Sequence, residues 1–314
     1  VDTWEPVAAS YVHQVPLEDV NREPSRLCAA WSADAGAAAW VEFQHDDAKR
    51  VLRFVSFDLA GKPRHEIRDL PPKDLSQVAL ARVGKHWVLA YSDQAGAIHL
   101  LRLDDEGKPL AQPIAAPELK VKPGWAEWIR LLSLIDTAAG PRLAAGTPDG
   151  LQLVLFDPQW RYDKTITIND KSAAARLCRP HLALHDKTLL VSWLEHDNHG
   201  HRLVYRLLDL DGQPRTHPTE LSNAVGEAAP PAAFDKGFAI AWHDKTQTAN
   251  QIRFATISTE GKASEPRAAW AAGIPFGRPL IGVSGATASL FVLDRAPYPR
   301  VVSIKEFELS PKRH

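Results

Sequence analysis

The sequence predicts an all-β protein built from about six copies of one unit of roughly 50 residues. Three observations lead to this prediction. A six-residue turn recurs along the chain, a strand-like run of β-branched, leucine and aromatic residues precedes each copy, and an aromatic-x-acid signal lies upstream of each run. No segment shows the 3.6-residue periodicity and the caps of an α-helix, so we expect the unit to consist of strands.

The recurring turn reads DLDGQP at residues 209–214. Three relatives share its pattern: DLAGKP (58–63), DDEGKP (104–109) and STEGKA (258–263). Because glycine readily adopts a positive φ, such a turn reverses a strand into its neighbour. A related turn that has lost its glycine, DPQW, lies at residues 157–160. We therefore expect the turn to join the third and fourth strands of successive units.

The aromatic-x-acid signal marks the second strand of each unit. It occurs as AWVE (39–42), AYSD (90–93), SWLE (192–195), AWHD (241–244) and, more weakly, FVLD (291–294). A further strand-like run precedes each copy, so the unit contains four strands. The third unit departs most from this pattern, because it carries AAGTPDG (144–150) in place of the signal. If the ring has a special sector, we expect it there.

Four strands in a unit of this length, repeated six times, are the signature of a six-bladed β-propeller. On this repeat pattern the whole chain resembles the six-bladed β-propellers of bacteria, although the pattern singles out no specific family. We expect a single domain, residues 1–314, with blades near residues 26–74, 75–124, 125–175, 176–227, 228–275 and 276–314.

The last unit supplies only three strands before the chain reaches His314. We expect residues 1–25 to provide a closing strand and a linker. The run WEPVAASYV (4–12) is the predicted closing strand, because a fourth strand from the other terminus would remove the open edge of the ring.

Composition bears on partners and location. The formal net charge is −1, so no basic field attracts nucleic acid. No run of about 18 apolar residues is present, and we expect no membrane span. The chain starts at Val1 and contains no Met, from which we expect a periplasmic or secreted location, with the cytoplasm left open. We expect a monomer unless the chain belongs to a complex.

Two cysteines, Cys28 and Cys178, lie at equivalent points of units that are three apart in the predicted ring. They would then lie on opposite sides of the axis, whereas a disulfide needs Cα atoms within about 7 Å. The sequence therefore predicts two free thiols that pack as small buried residues.

Strand 1 of each predicted blade begins on the face at which strand 2 ends. Arginines are expected on this face: Arg26, Arg179 and Arg278 open strand 1 in three units, and Arg130 lies early in the third unit. A planar guanidinium donates two parallel hydrogen bonds, so an arginine cluster at the channel mouth suits a carboxylate or phosphate ligand.

The same face carries the acids that close strand 2: Glu42, Asp93, Glu195, Asp244 and Asp294. Paired carboxylates there could act on a glycoside as acid and base. The alternative is structural, with each acid paired to an arginine within or between blades. Because a catalytic residue should interrupt the repeat, whereas these acids follow it, the structural interpretation is favoured.

Three tryptophans do not follow the repeat. Trp125 and Trp128 (in KPGWAEWIR) and Trp270 (in AAWAAGIPFG) are expected in connections between strand 4 of one unit and strand 1 of the next. Aromatic side chains on such a face suit a sugar platform or a partner contact, although they could equally fill gaps between blades. The tryptophans of the repeat itself are expected in the blade core: Trp40, Trp193 and Trp242.

Histidines supply a weaker candidate. His196, His199 and His201 lie in EHDNHGH, and His243 lies in a corresponding loop with its neighbouring acid. Imidazole and carboxylate side chains could bind a divalent metal, but the spacing matches no standard zinc motif. Exposed polar loops collect such residues by default, so we expect no cofactor.

The sequence contains no G-x-G-x-x-G, P-loop, G-x-S-x-G, H-E-x-x-H or C-x-x-C motif. We therefore expect a non-catalytic propeller that binds a protein partner or a glycan. Two alternatives stay open: a glycan-processing hydrolase or lyase with arginines and carboxylates at the channel mouth, and a metal-dependent propeller of the lactonase or phosphatase kind. Fold alone does not choose among them, so whether the chain is an enzyme is left open.

Overall fold

A computed structural model describes residues 22–32, 34–44, 49–73, 75, 77–93, 95–120, 132–169, 179–197, 200–246, 249–270, 278–284, 287–293 and 301–308. Within these ranges every regular element is a β-strand. None of these residues forms a helix that is long and apolar enough to cross a membrane.

The strands form six antiparallel sheets, blades 1 to 6, whose strand order follows the chain. Blades 1 and 2 contain β1 (Arg22–Trp31), β2 (Gly36–Gln44), β3 (Lys49–Phe57), β4 (Arg68–Lys73), β5 (Gln77–Val83), β6 (His86–Ser92), β7 (Ala97–Leu103) and β8 (Ile114–Lys120). Blades 3 and 4 contain β9 (Leu132–Ile135), β10 (Arg142–Thr147), β11 (Gly150–Phe156), β12 (Tyr162–Thr167), β13 (Arg179–His185), β14 (Thr188–Asp197), β15 (Gly200–Leu208) and β16 (Thr219–Ser222). Blades 5 and 6 contain β17 (Val225–Ala228), β18 (Ala232–Phe234), β19 (Gly237–Thr246), β20 (Ala249–Ser258), β21 (Arg267–Trp270), β22 (Arg278–Ser284), β23 (Thr287–Leu293) and β24 (Val301–Glu308).

The predicted six-bladed arrangement of four-stranded units is confirmed. Blade 6 has three strands among the described residues, and the predicted closing strand, residues 4–12, lies outside them. Blade 5 differs from the expectation in its inner strand, which begins at Val225 and divides into β17 and β18. Pro230 and Pro231 lie at the break, because proline has no N–H to donate to the neighbouring strand.

The hydrophobic core consists of layers between consecutive blades. One cluster joins blades 1 and 2, and others join blades 2 and 3, 3 and 4, 4 and 5, and 5 and 6. Tyr91 packs against blade 1, Trp193 against blade 3 and Trp242 against blade 4, so the repeated aromatic faces the preceding blade. The predicted burial of the repeat tryptophans is confirmed, since Trp193 and Trp242 are 0% exposed and Trp40 is 7% exposed.

The repeated hexapeptide joins the third and fourth strands of blades 1, 2, 4 and 5, as predicted. In blade 1, Asp58 Oδ1 accepts hydrogen bonds from the N–H groups of Ala60 and Lys62, both at 2.9 Å. Gly61 then turns the chain with a φ of 78°, a region that side chains other than glycine rarely adopt. The side chains of Asp104, Asp209 and Ser258 form the same turn in the other blades.

The turns of blades 2, 4 and 5 also contact the preceding blade. Ser56 of blade 1 donates a 2.6 Å hydrogen bond to the carbonyl of Asp105 in the turn of blade 2. Tyr205 of blade 4 donates one of 2.9 Å to the carbonyl of Gly261 in the turn of blade 5. A Cβ at Gly107 would lie 2.6 Å from Phe54 of blade 1. The repeated turn is therefore a fixed joint between consecutive blades.

Blade 3 makes the same turn without glycine, as the sequence predicted. Trp160 occupies the glycine position with a φ of 70° and is 8% exposed. The guanidinium of Arg102, from blade 2, lies 5.1 Å from the Trp160 ring centroid. Cation–π attraction and burial of the indole offset the strain of a positive φ at a large residue.

Cys28 is a free thiol, as predicted, and its Sγ donates to the carbonyl of Ala39 at 3.3 Å. Cys178 lies outside the described residues, so the prediction for the second thiol stays a prediction.

Candidate functional site

The upper face is defined here as the side on which strand 2 ends and strand 3 begins in each blade. The prediction that arginines open strand 1 is confirmed for Arg179 and Arg278, the first residues of β13 and β22. It is wrong for Arg26, because β1 begins at Arg22 and its pairing with β2 is interrupted between Ser25 and Cys28. Arg26 therefore lies inside the strand.

Of the three tryptophans of the predicted aromatic site, Trp270 alone lies among the described residues. Trp270 is the last residue of β21 and pairs with Ile252, so its expected position in a connecting loop is wrong. The short fourth strand continues to this residue, past the bulge between Ile252 and Arg253. Several predicted positions lie outside the described residues: Trp125, Trp128, Arg130 and His199. The structure also does not describe the side chains of Arg26, Arg278, Trp270 and His196.

Arg179 forms an ion pair between two blades. Its Nη1 lies 2.7 Å from Oε2 of Glu227 in β17, and the two side chains are 16% and 13% exposed. Because the guanidinium already has a carboxylate beside it, its charge is largely compensated within the protein. Arg179 therefore joins blade 4 to blade 5 at the upper face.

The repeat acids of four blades each pair with a base, but the base comes from strand 3 of the same blade. The pairs and their shortest distances are Glu42–Arg53 at 3.3 Å, Asp93–His99 at 3.1 Å, Glu195–Arg202 at 2.7 Å and Asp244–Arg253 at 2.9 Å. These pairs support the expected structural role of the acids. Of the arginines that open strand 1, Arg179 pairs with Glu227 instead of a repeat acid. Asp294 lies outside the described residues.

Strand register explains these partners. In blades 1, 2 and 5 the base lies directly opposite the aromatic residue and reaches diagonally to the acid two residues further along. In blade 4, Arg202 lies directly opposite Glu195. The sequence contained this signal, a base at or before the middle of each of these strand-3 runs, although the predicted sites did not include it.

Blade 2 replaces tryptophan and arginine by tyrosine and histidine. Tyr91 and His99 stack with ring centroids 5.1 Å apart, and His99 Nε2 lies 3.1 Å from Asp93 Oδ2. Burial, with a smaller contribution from the Asp93 charge, raises the pKa of Tyr91 to about 12. The Tyr91 phenol therefore stays neutral to a higher pH than an exposed tyrosine.

The predicted histidine loop is mostly strand. His196 and His201 pair across β14 and β15, and the pairing continues to Asp197 and Gly200. His243 is 4% exposed within β19, and its Nδ1 would lie 2.9 Å from a Cβ at Gly226. In the part of the chain that the structure describes, no three histidine, cysteine or acidic side chains come together as metal ligands.

Comparisons with known proteins give the fold. No protein-family model matches the chain, and no curated protein matches it by sequence. Among solved structures, it is similar to a mutant α-L-arabinofuranosidase, Arb93A of Fusarium graminearum, crystallised with an iminosugar inhibitor. The TM-score is 0.59 at 11% identity, over 91% of this chain and 93% of that one.

Two further solved structures are similar over most of this chain. A subtype N11 neuraminidase-like protein of A/flat-faced bat gives a TM-score of 0.55 at 9% identity, over 91% of this chain and 86% of that one. KlHsv2 with its loop 6CD replaced by a Gly-Ser linker gives 0.52 at 10% identity, over 92% and 78%. At these identities the likeness shows a propeller-type fold alone, and it leaves the function open.

Proposed function

We propose that this chain is a non-catalytic β-propeller that binds a protein partner or a glycan through its upper face. The observation that carries the proposal is the pairing of the repeat acids. In blades 1, 2, 4 and 5 the acid at the end of strand 2 has a base of the same blade beside it. Such paired carboxylates support a structural role for the acids of these four blades.

A glycan hydrolase makes a different demand on this face. It needs two carboxyl groups about 5–10 Å apart that are free to reach the sugar, one of them as an acid. Glu195 instead accepts hydrogen bonds from Trp193 Nε1 at 2.9 Å and from Arg202 Nη2 at 2.7 Å, and it is 7% exposed. Both of its oxygens are engaged, which favours the binding proposal over the hydrolase.

We propose that the binding residues are among those that do not follow the repeat. Trp125 and Trp128 are the leading candidates, and Arg130 lies in the same connection between β8 and β9. Trp270, at the end of β21, is a further candidate. Indole rings supply large contact areas for a sugar face or a protein hot spot, and arginine adds hydrogen bonds.

A glycan array and a panel of aryl glycosides test the proposal together. We expect the purified chain to bind selected glycans, or an identified protein partner, without hydrolysing any aryl glycoside. The double substitution Trp125→Ala/Trp128→Ala should abolish binding while the melting temperature stays within a few degrees. The matched control is Leu110→Ala, at an exposed apolar residue beside the turn of blade 2, which should keep full binding.

The hydrolase alternative makes the opposite prediction. Hydrolysis of an aryl glycoside by the wild-type chain, lost in Glu195→Gln without loss of folding, would overturn the proposal. A stoichiometric divalent metal in elemental analysis, with a lower melting temperature after chelation, would instead support the metal-dependent alternative.

A further inference from the structure

The aromatic-x-acid signal places two polar groups side by side in blades 1, 2, 4 and 5. Residues two apart on a strand point to the same face, so the tryptophan and the acid are neighbours. In blade 4 they bond directly, because Trp193 Nε1 donates to Glu195 Oε1 at 2.9 Å. Arg202, opposite the acid, takes the second oxygen at 2.7 Å. The indole N–H of Trp193 and both carboxylate oxygens of Glu195 therefore have partners.

Blade 5 has the same pair without the direct bond. Asp244 Oδ2 lies 2.9 Å from Arg253 Nε. Asp244 Oδ1 and Trp242 Nε1 are buried, and neither has a hydrogen-bond partner among the described residues. Asp244 is 3% exposed and Trp242 is 0% exposed. A carboxylate oxygen without a donor and an indole N–H without an acceptor therefore lie two residues apart on one strand face.

Two differences from blade 4 account for the missing bond. Aspartate is shorter than glutamate by one carbon, about 1.5 Å. Arg253 also lies opposite Trp242 instead of opposite the acid, so it draws the carboxylate across the strand. In blade 1, Arg53 likewise lies opposite Trp40, and Trp40 Nε1 has no partner among the described residues. The position of the arginine thus correlates with an indole N–H that has no acceptor among the described residues.

We infer that one water molecule is bound between Trp242 Nε1 and Asp244 Oδ1, at the joint between blades 4 and 5. Water accepts from the indole N–H and donates to the carboxylate oxygen, so it satisfies both groups at once. A metal cation would meet the positive end of the N–H dipole, and an anion would meet the carboxylate. A small neutral molecule that both donates and accepts is the ligand chemistry that the two atoms select.

The burial of the pair fixes where this water lies. Trp242 packs in the cluster that joins blades 4 and 5, with Leu194 and Tyr205 of blade 4. The water is therefore enclosed by apolar side chains on the side that faces blade 4. Because buried polar groups almost always have partners in folded proteins, the site is an integral part of this joint.

Nuclear magnetic resonance of the full deuterated, ¹⁵N-labelled chain tests this site, with water itself as the probe. We expect the Trp242 indole proton to show NOE and ROE cross-peaks to water of opposite sign, which mark a long-lived contact. The Trp193 indole proton is the matched control, and it should show none because Glu195 is its acceptor. Trp242→Phe assigns the signal by removing it.

The absence of the water cross-peaks at Trp242, or their equal presence at Trp193, would overturn the inference. If Trp242→Phe does not fold, a high-resolution crystal structure of the unmodified chain decides. We then expect one density peak within about 2.7–3.2 Å of both Trp242 Nε1 and Asp244 Oδ1. A direct bond between the two residues, or a protein atom at that position, would contradict the inference.

Discussion

At Arg142 a guanidinium is 2% exposed and has only backbone carbonyl oxygens as hydrogen-bond partners in the described chain. Two of its bonds, 2.9 and 2.6 Å long, reach the carbonyl of Leu210 in the turn of blade 4. Burial lowers the pKa of Arg142 from its usual value. A single side chain of blade 3 thus holds the repeated turn of the next blade.

Substitution of Arg142 tests this joint. Arg142→Met removes the donors and leaves several buried carbonyls without partners, which should cost about 2–4 kcal/mol in the free energy of unfolding. The control is Arg161→Met, because the Arg161 side chain is 76% exposed and pairs with Asp157 at the surface. Urea denaturation should show a change below about 0.5 kcal/mol for the control. Equal effects of the two substitutions would contradict the assigned role.

Tyr91 predicts a specific alkaline transition. Its pKa is about 12 in the folded chain and about 10 when unfolded, so the folded state holds the phenolic proton more tightly. This stabilisation is complete below about pH 10 and is lost as the pH rises to about 12, by at most about 2.7 kcal/mol. Tyr91→Phe cannot ionise, so its unfolding free energy should fall less between these pH values.

Urea denaturation at pH 9 and at pH 11.5 measures the Tyr91 effect. Tyr162→Phe, at a partly buried tyrosine of blade 3, is the matched control and should follow the wild type. A Tyr91→Phe variant that loses as much stability as the wild type over this range would show that Tyr91 does not contribute.

Among the elements, the repeated turn offers a matched pair of glycines. Gly61 and Gly212 both have a φ of 78°. A Cβ at Gly61 would meet nothing within 4 Å, whereas one at Gly212 would clash with Ile166 Cδ1 of blade 3. Gly61→Ala should cost about 1 kcal/mol from backbone strain. Gly212→Ala should cost about 1–2 kcal/mol more, because the blade contact must also shift. Equal urea midpoints for the two variants would argue against a joint at Gly212.

At the same scale, the sequence predicted the strands and turns better than the partners across them. The turn and the aromatic-x-acid signal mark local chain reversals and buried faces, which single segments encode. The partner of Glu195 depends on register, and register places Arg202 opposite it. Arg179 was expected to bind an outside anion, but the packing of blade 4 on blade 5 places it beside Glu227. Such contacts depend on neighbouring strands or blades and do not follow from one segment.

For the whole molecule, ring closure is the feature that the repeat predicts most directly. Blade 6 has three described strands, and β24 pairs with β23 alone among them. If residues 4–12 supply the fourth strand, residues 13–21 connect it to β1. The other connections from strand 4 to strand 1 vary in length, from one as short as residues 223–224 to one as long as residues 121–131. The length of the linker 13–21 lies within this range. A Cβ at Gly61 would meet no described residue within 4 Å, whereas a Cβ at Gly107, Gly212 or Gly261 would contact the preceding blade.

Deletion of residues 1–12 tests closure of the ring. The truncated chain should melt about 5 °C lower or more, because it leaves a strand edge and apolar surface exposed. Addition of a synthetic peptide of residues 1–14 should restore part of the loss. Deletion of residues 309–314 is the control and should have a smaller effect. An unchanged melting temperature after the N-terminal deletion would contradict the predicted closure.

The number of blades and the repeat acids were predictable because they recur, and recurrence identifies structure. A binding site interrupts a repeat, so the same reasoning finds only candidates for it, such as Trp125 and Trp128. We therefore propose that the repeat acids stabilise the blades and do not perform chemistry. Their bases were identified only by the register of strand 3.

A double-mutant cycle on Glu195 and Arg202 tests the structural role of the repeat acids. The cycle compares the unfolding free energies of the wild type, Glu195→Gln, Arg202→Met and the double variant. We expect a coupling of about 1 kcal/mol, since the pair is 2.7 Å apart with Glu195 buried and Arg202 partly exposed. Glycan or partner binding should be the same in all four proteins. No coupling, together with loss of binding or of a glycosidase activity in Glu195→Gln, would show instead that the acid is functional.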